Sequence, residues 1–308
     1  MGAPAERSLP TPAAPARGGR WASLTRQERL AYKLLLPVLC TVLVIVTIPF
    51  LLAVAQSLDA RVGPGLDNYF RALSNMALYA SLLATTMYAA IVLPTEVLVG
   101  LGLALLVHRT VRSMGLRAIL YVLAIVPLVI PPVAVGVIAR LIYAPDYGAL
   151  NRILQVLGLI DNEIQWLSTP VGAMLAVASV DIWQWTPFVY LVLFAGLQTV
   201  PHETVEAAQV DGATGRQQFW HIELPYLRPL LILVVFFRIA DVLRVFDHVF
   251  ILTGGGPGST TQFLSLHLYR IGFKFSDLGQ AAALAVLVMV VTSIVYTLVT
   301  RLLPLERD

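Results

Sequence analysis

Leu34 to Ala55 is a run of 22 residues without a charge, long enough to cross a hydrocarbon core of about 30 Å as a helix. It is the first of six apolar stretches. The second covers Leu78 to Val107, interrupted by Pro94 and Glu96, and the third runs from Ala118 to about Tyr143 through Pro127, Pro131 and Pro132. The fourth is Val171 to Leu197, with Asp181 and Pro187 inside it; the fifth is about Leu230 to Leu252 and the sixth Ala281 to Leu303. Backbone groups in lipid have no water to bond, so each spanning segment has to be helical. Of 308 residues 58% are hydrophobic and 13% charged, more apolar surface than a soluble chain of this size hides. The expected fold is an all-α membrane protein of six transmembrane helices.

Residues 1–33 are polar and carry six of the basic residues. Met1 to Leu24 reads as a disordered cytoplasmic tail, followed by an arginine-bearing juxtamembrane turn. Ala53-Val54-Ala55 has the look of a signal-peptide cleavage site. The apolar run before it is too long and the basic leader too extended, so residues 34–56 read as an uncleaved first span. With the N-terminus inside, thirteen Lys and Arg fall in cytoplasmic segments, among them Arg109, Arg112, Arg216 and Arg228, against five in external ones. That asymmetry follows the positive-inside rule and puts both termini in the cytoplasm. Cys40 is the only cysteine, so no intrachain disulfide can form; in an apolar run it reads as a packing residue. Gly100 and Ala104 form a small-xxx-small pair suited to close helix packing. The three prolines of the third span would bend it and free carbonyls that neighbours must satisfy.

Between the fourth and fifth spans lies a polar stretch, residues 200–229. Pro201 suits the first position of a helix, where its missing N–H costs nothing. The helix-compatible run to Asp211 ends at Gly212, a left-handed C-cap. Thr214 opens a second helix as N-cap, with Gln217 completing a capping box, and Pro225 is expected to close it. A compact helix–turn–helix between two spans suits a grip from outside the bilayer.

Glu206-Ala207-Ala208, Gly212, Ile222 and Leu224-Pro225 stand at the offsets of one known motif. The stretch resembles the EAA loop of ABC importer permeases, the inner-membrane components of binding-protein-dependent transport. Six fixed positions plus Ile222 make the match specific. It implies the type I importer permease fold over about residues 78–303, in a bacterial or archaeal inner membrane. In that family the loop docks on a cytoplasmic ATPase, so Glu206, Ala207, Ala208, Gly212, Ile222, Leu224 and Pro225 become the implied ATPase-coupling residues. The resemblance also implies a second, homologous permease subunit, two ATPase subunits and an external solute-binding protein, with no nucleic-acid partner. The chain would be no enzyme and hold no cofactor, ATP being bound by the partner.

The polar residues inside the membrane need explaining, since a mid-bilayer charge costs about 3 kcal/mol on insertion scales. The fifth span carries Arg238, Asp241, Arg244, Asp247 and His248. Alternating signs at i,i+3 allow pairing along one helical stripe. The charges are either mutual ion pairs, such as a closed Asp241–Arg244 pair, or the lining of a solute path with Asp241, Arg244 and Asp247 on it. Glu96 has the same two readings, with an arginine elsewhere as its partner in the first. On the fourth span Trp183, Gln184 and Trp185 offer indole faces and an amide to a sugar ring, or simply pack. Residues 252–258, Leu-Thr-Gly-Gly-Gly-Pro-Gly, read as a flexible external loop. No Lys-Ser/Thr follows, so they are no P-loop. Phe246-Asp247 with Leu252 to Pro257 resembles the carbohydrate-uptake branch of the importer permeases, the maltose/trehalose type, which implies sugars or related polyols as solute.

Two other classes compete. An intramembrane aspartyl protease could use Asp181 and Asp241 as a proton-sharing dyad, but the expected Gly-x-Gly-Asp context is missing. An ion-coupled carrier would not need the Glu206 loop. The five histidines show no metal-ligand spacing.

Overall fold

The computed structural model describes residues 26–59 and 65–302; the tail expected at Met1 to Leu24 lies outside them. The chain divides into two compact units, residues 1–52 and 53–308. The described part of the first belongs to helix α1 (Arg26–Leu58). Arg26, Arg29 and Lys33 are already helical, so the expected juxtamembrane turn is instead the first two turns of α1. The Arg, Gln, Glu and Leu there are good helix formers, and nothing in that stretch breaks a helix. Leu34 and Leu43 are 66% exposed and Cys40 is exposed too. Among the described residues Cys40 therefore packs in no core of its own unit; its neighbours on α1 are suited to lipid.

The second unit is helical throughout its described elements. After α2 (Asp67–Ser74) comes α3 (Met76–Thr110), whose first turn is capped by the Asn75 side chain accepting from the Ala77 N–H at 3.0 Å. Then follow α4 (Met114–Val129), α5 (Pro132–Ile142), α6 (Ala149–Val156) and α7 (Pro170–Leu197). In α7 Thr169 is the N-cap, with Pro170 at the first position. Two short helices, α8 (His202–Val210) and α9 (Gly215–Gln218), precede α10 (Leu224–Val242). The remaining helices are α11 (Asp247–Leu252), α12 (Leu264–Tyr269) and α13 (Leu278–Leu302).

Residues Tyr32–Leu58, Met76–Thr110 and Pro170–Leu197 are long and apolar enough to cross a membrane, and α4 with α5 makes a fourth crossing if taken together. The expected third span is not one helix. It bends by 92° between α4 and α5, because Pro131 and Pro132 follow Ile130 and a residue before proline is driven out of the helical region. Ile130 has φ −70° and ψ 124°. The expected fifth and sixth spans are weaker by composition: α10 carries Arg228, Arg238 and Asp241, and the apolar part of α13 is Leu278–Ile294.

Lipid is as apolar as leucine, so burial alone gives membrane helices little reason to associate; close packing and polar contacts must do it. Both are present. A Cβ on Gly100 would sit 2.7 Å from the Val189 side chain, so glycine lets α3 meet α7 at backbone distance, and Ala104 one turn on is fully buried. One core cluster holds Tyr88, Val92, Val177, Val249 and Phe263. A second, toward the polar element, holds Ala104, Leu193, Phe194, Leu227 and Val234.

Candidate functional site

The polar element after α7 is organised by local caps. Gly212 has φ +80°. The Ala213 N–H donates to the Ala208 carbonyl at 2.8 Å and the Gly212 N–H to the Gln209 carbonyl at 3.0 Å. Those two bonds make a Schellman C-cap that closes α8. Thr214 and Gln217 form the expected capping box on α9. Pro201 stands one residue earlier than expected, as the N-cap of α8 rather than its first helical residue.

Pro225 does not close the second helix. Residues Phe219–Glu223 widen into a π-helical segment, and α10 starts at once with Pro225 in its first turn. The Leu224 N–H reaches back five residues to the Phe219 carbonyl. The wider turn accommodates a proline that would clash in an α-helical interior. The polar element is thus continuous with α10.

Of the seven motif residues, Glu206, Ala207, Gly212 and Pro225 are exposed, and Ala208, Ile222 and Leu224 half-buried. Val210 (88%) and Trp220 (55%) add exposed apolar surface. Ala208, Gly212 and Ile222 line a groove of about 310 Å³ between α8 and the π segment. A residue outside the motif holds the element from beneath. Arg109, at the end of α3, donates to Glu223 Oε2 at 2.8 Å and to the Gly215 carbonyl at 3.3 Å.

Inside the membrane region the charges gather around Arg238, not along a stripe. Its Nε and Nη2 donate to the two oxygens of Glu96 at 2.7 and 2.9 Å. Nη2 also reaches Asp181 Oδ2 at 2.7 Å, and Nη1 reaches Asp241 Oδ2 at 2.5 Å. The guanidinium lies over the Trp185 ring, 4.6 Å from its centroid, a favourable cation–π placement. Glu96 thus has its arginine. Asp181 and Asp241 bind different nitrogens of one cation, so they form no proton-sharing dyad.

The expected stripe ends where α10 does. Asp247 begins the separate helix α11 and is exposed. Arg244 stands 3.9 Å from Asp241 with its side chain 73% exposed, so the pair is neither close nor buried. Gln184 donates its amide to the Ile130 carbonyl at 3.0 Å. It satisfies the group that the proline break frees. Trp183 is half exposed. Arg244 borders a cavity of about 620 Å³ between α10, α12 and α13, with Phe246, Tyr269, Phe273, Ser265 and Thr292 on its wall. The glycine loop beside it is pinned rather than flexible. Arg270 donates to the Gly254 carbonyl at 2.5 Å, the Thr261 hydroxyl to the Gly256 carbonyl at 2.8 Å, and Gly254 and Gly255 take positive φ.

The profile of the binding-protein-dependent transport system inner membrane component family matches residues 96–307, from Glu96 through the polar element and the Arg238 centre. The chain belongs to this family. Such a permease component is a multi-pass membrane protein, in keeping with the apolar helices. The trehalose/maltose transport system permease protein MalF of Thermococcus litoralis is 35% identical over 286 residues, 90% of this permease and 95% of that protein. The sulfoquinovosyl glycerol transport system permease protein SmoG of Agrobacterium fabrum is 30% identical over 307 residues, 97% and 96% of the two chains. In the solved structure of a bacterial ABC transporter that imports the acidic polysaccharide alginate, a chain superposes with a TM-score of 0.79. It is 23% identical, and the match covers 92% of this permease and 97% of that chain; it shows a common fold.

Proposed function

We propose that the chain is one permease subunit of an ATP-driven importer for sugars or related polyols. It works with a homologous second permease, two cytoplasmic ATPase subunits and an external binding protein. In this reading it crosses the inner membrane six times, α10 and α13 supplying the fifth and sixth spans, with both termini inside. The exposed face around Glu206, Ala207, Ala208, Gly212, Ile222, Leu224 and Pro225 meets the ATPase. The carrying observation is the capped polar element whose second half, α9 and the π segment, runs without a break into α10, so that a push on it would be delivered straight into the membrane. ATP is hydrolysed on the partner, and closure of the ATPase pair drives alternating access through rigid-body movement of the helices.

Solute would pass Arg244, Asp241, Asp247 and Trp183 at the interface with the second permease. The cavity beside Arg244 falls within the roughly 300–1,000 Å³ of small-molecule sites. Its rings and hydroxyls suit a sugar, which presents an apolar face for stacking and a polar rim for hydrogen bonds. Gln184 and Trp185, also proposed for the path, are engaged by the Ile130 carbonyl and by Arg238. Sugar permeases among the relatives support the same solute class.

The test is ATP-dependent uptake by the complete transporter in proteoliposomes, offered labelled trehalose, maltose, glycerol and an amino acid. A sugar or polyol should accumulate, and Arg244→Gln should weaken uptake or shift preference among them while the subunit remains abundant. Uptake of the amino acid alone would reject the solute class. Lowered abundance with unchanged transport per molecule would remove Arg244 from the path.

A further inference from the structure

Arg109 and Glu223 belong to no motif residue set, yet they join the polar element to the second span. Glu223 lies in the π segment and its side chain is 6% exposed, whereas that of Arg109 is 41% exposed. One guanidinium nitrogen serves two parts of the element, the Glu223 carboxylate at 2.8 Å and the Gly215 carbonyl at 3.3 Å. Farther along, Glu96 of α3 grips Arg238 of α10 through two bonds. The two contacts are 13 residues apart on α3 and 15 apart on the chain entering α10, about 20 Å along each at roughly 1.5 Å per residue. The helices run in opposite directions, so these contacts form the two rungs of a ladder.

Resting on the reading of the element as the ATPase-docking piece, we infer that Arg109 is a positioning residue that makes α3 move with it. The covalent path carries a push from α9 into α10 only. The Arg109–Glu223 rung delivers the same push to the end of α3, and the Glu96–Arg238 rung keeps the two helices in register deeper in the membrane. Because α3 meets α7 at backbone distance at Gly100, three spans then answer one displacement. Without Arg109 the element can tilt on its π segment while α3 lags.

Spin labels at Arg216→Cys and Thr110→Cys, both exposed positions, report the separation of the element from the end of α3. They are placed in the complete transporter on a background in which Cys40 is replaced by serine, and pulsed EPR is read without nucleotide and after trapping with ATP and vanadate. The unaltered pair should give one narrow separation, unchanged by trapping. Arg109→Gln and Glu223→Gln should each broaden it and make it shift on trapping, while Arg109→Lys, which keeps the charge, stays narrow. The reversed pair R109E/E223R should regain the narrow distribution by restoring the ion pair; a merely structural role would leave the separation in Arg109→Gln insensitive to trapping. A distribution in Arg109→Gln equal to the unaltered one in both states overturns the inference, and so does a reversed pair that folds and stays broad. If ATPase subunits fail to co-purify with the unaltered chain, the docking reading falls and the inference with it. Co-purification with a normal distribution in Arg109→Gln rejects the inference alone.

Discussion

Replacing Arg238 with methionine isolates the electrostatic weight of the buried centre. Methionine is unbranched and fills a similar elongated space, so the change removes charge and donors with little loss of packing. The Arg238 side chain is 1% exposed and those of Glu96 and Asp181 are 0% and 2% exposed, so no water reaches the carboxylates it abandons. Removing one partner of a buried ion pair costs about 3–5 kcal/mol. Here one cation holds two fully buried carboxylates at 2.7–2.9 Å, which places the loss at the upper end, about 5 kcal/mol. Against a total stability of about 5–15 kcal/mol that is a third or more. At roughly 2 °C per kcal/mol for a chain of this size, the melting midpoint in detergent should fall by about 10 °C, and membrane abundance should fall with it. The triple variant Arg238→Met, Glu96→Gln, Asp181→Asn removes the two fully buried orphaned charges, leaving only the partly exposed Asp241, and should recover most of the loss. The measurement is fluorescence-detected size exclusion after heating, with quantified membrane abundance. A single variant as stable as the parent, or a triple variant no better than the single, would refute the assignment of this centre as the polar lock of the bundle.

Two local changes test the break in the third span and the cap. Gln184→Leu leaves the Ile130 carbonyl without its donor, at about 1–3 kcal/mol, and thermal denaturation should register that loss whatever happens to transport; an unchanged midpoint would show that another group satisfies the carbonyl. At Gly212 a Cβ would meet nothing within 4 Å, so the cost of Gly212→Val comes only from forcing φ +80° on a β-branched residue, at least about 1–2 kcal/mol. Gly212→Val should keep the spans and lose ATP-driven uptake, whereas Gly212→Asn, which accepts the left-handed region, should stay near normal. Equal uptake by the two would remove the case for a fixed geometry at this turn.

What was legible in the chain of letters acts over a few residues. An apolar run of membrane length has to be helical because lipid offers its backbone no partner, and the helices α1, α3 and α7 lie where those runs do. The caps at Gly212 and Thr214 depend on one φ angle and on bonds between residues three to five apart; both were readable because both are local. The fixed offsets of the motif were readable for the same reason. Pro225 departs from the sequence expectation because the rule for a proline inside a helix assumes an α-helical turn, and the π segment before it relaxes that assumption.

Tertiary structure decided the rest. Charge spacing along the expected fifth span allowed Asp241 to pair with either arginine, and local rules favour neither. Packing of α3 and α7 on α10 brings Glu96 and Asp181, 142 and 57 residues away, onto Arg238, and Arg238 then takes Asp241 and leaves Arg244 at the cavity. Gln184 finds the Ile130 carbonyl across 54 residues, and Arg109 finds Glu223 across 114. A side chain's type states which bonds it can make. Which partner it meets depends on how close the helices come, and here the glycine at position 100 sets that distance for α3 and α7.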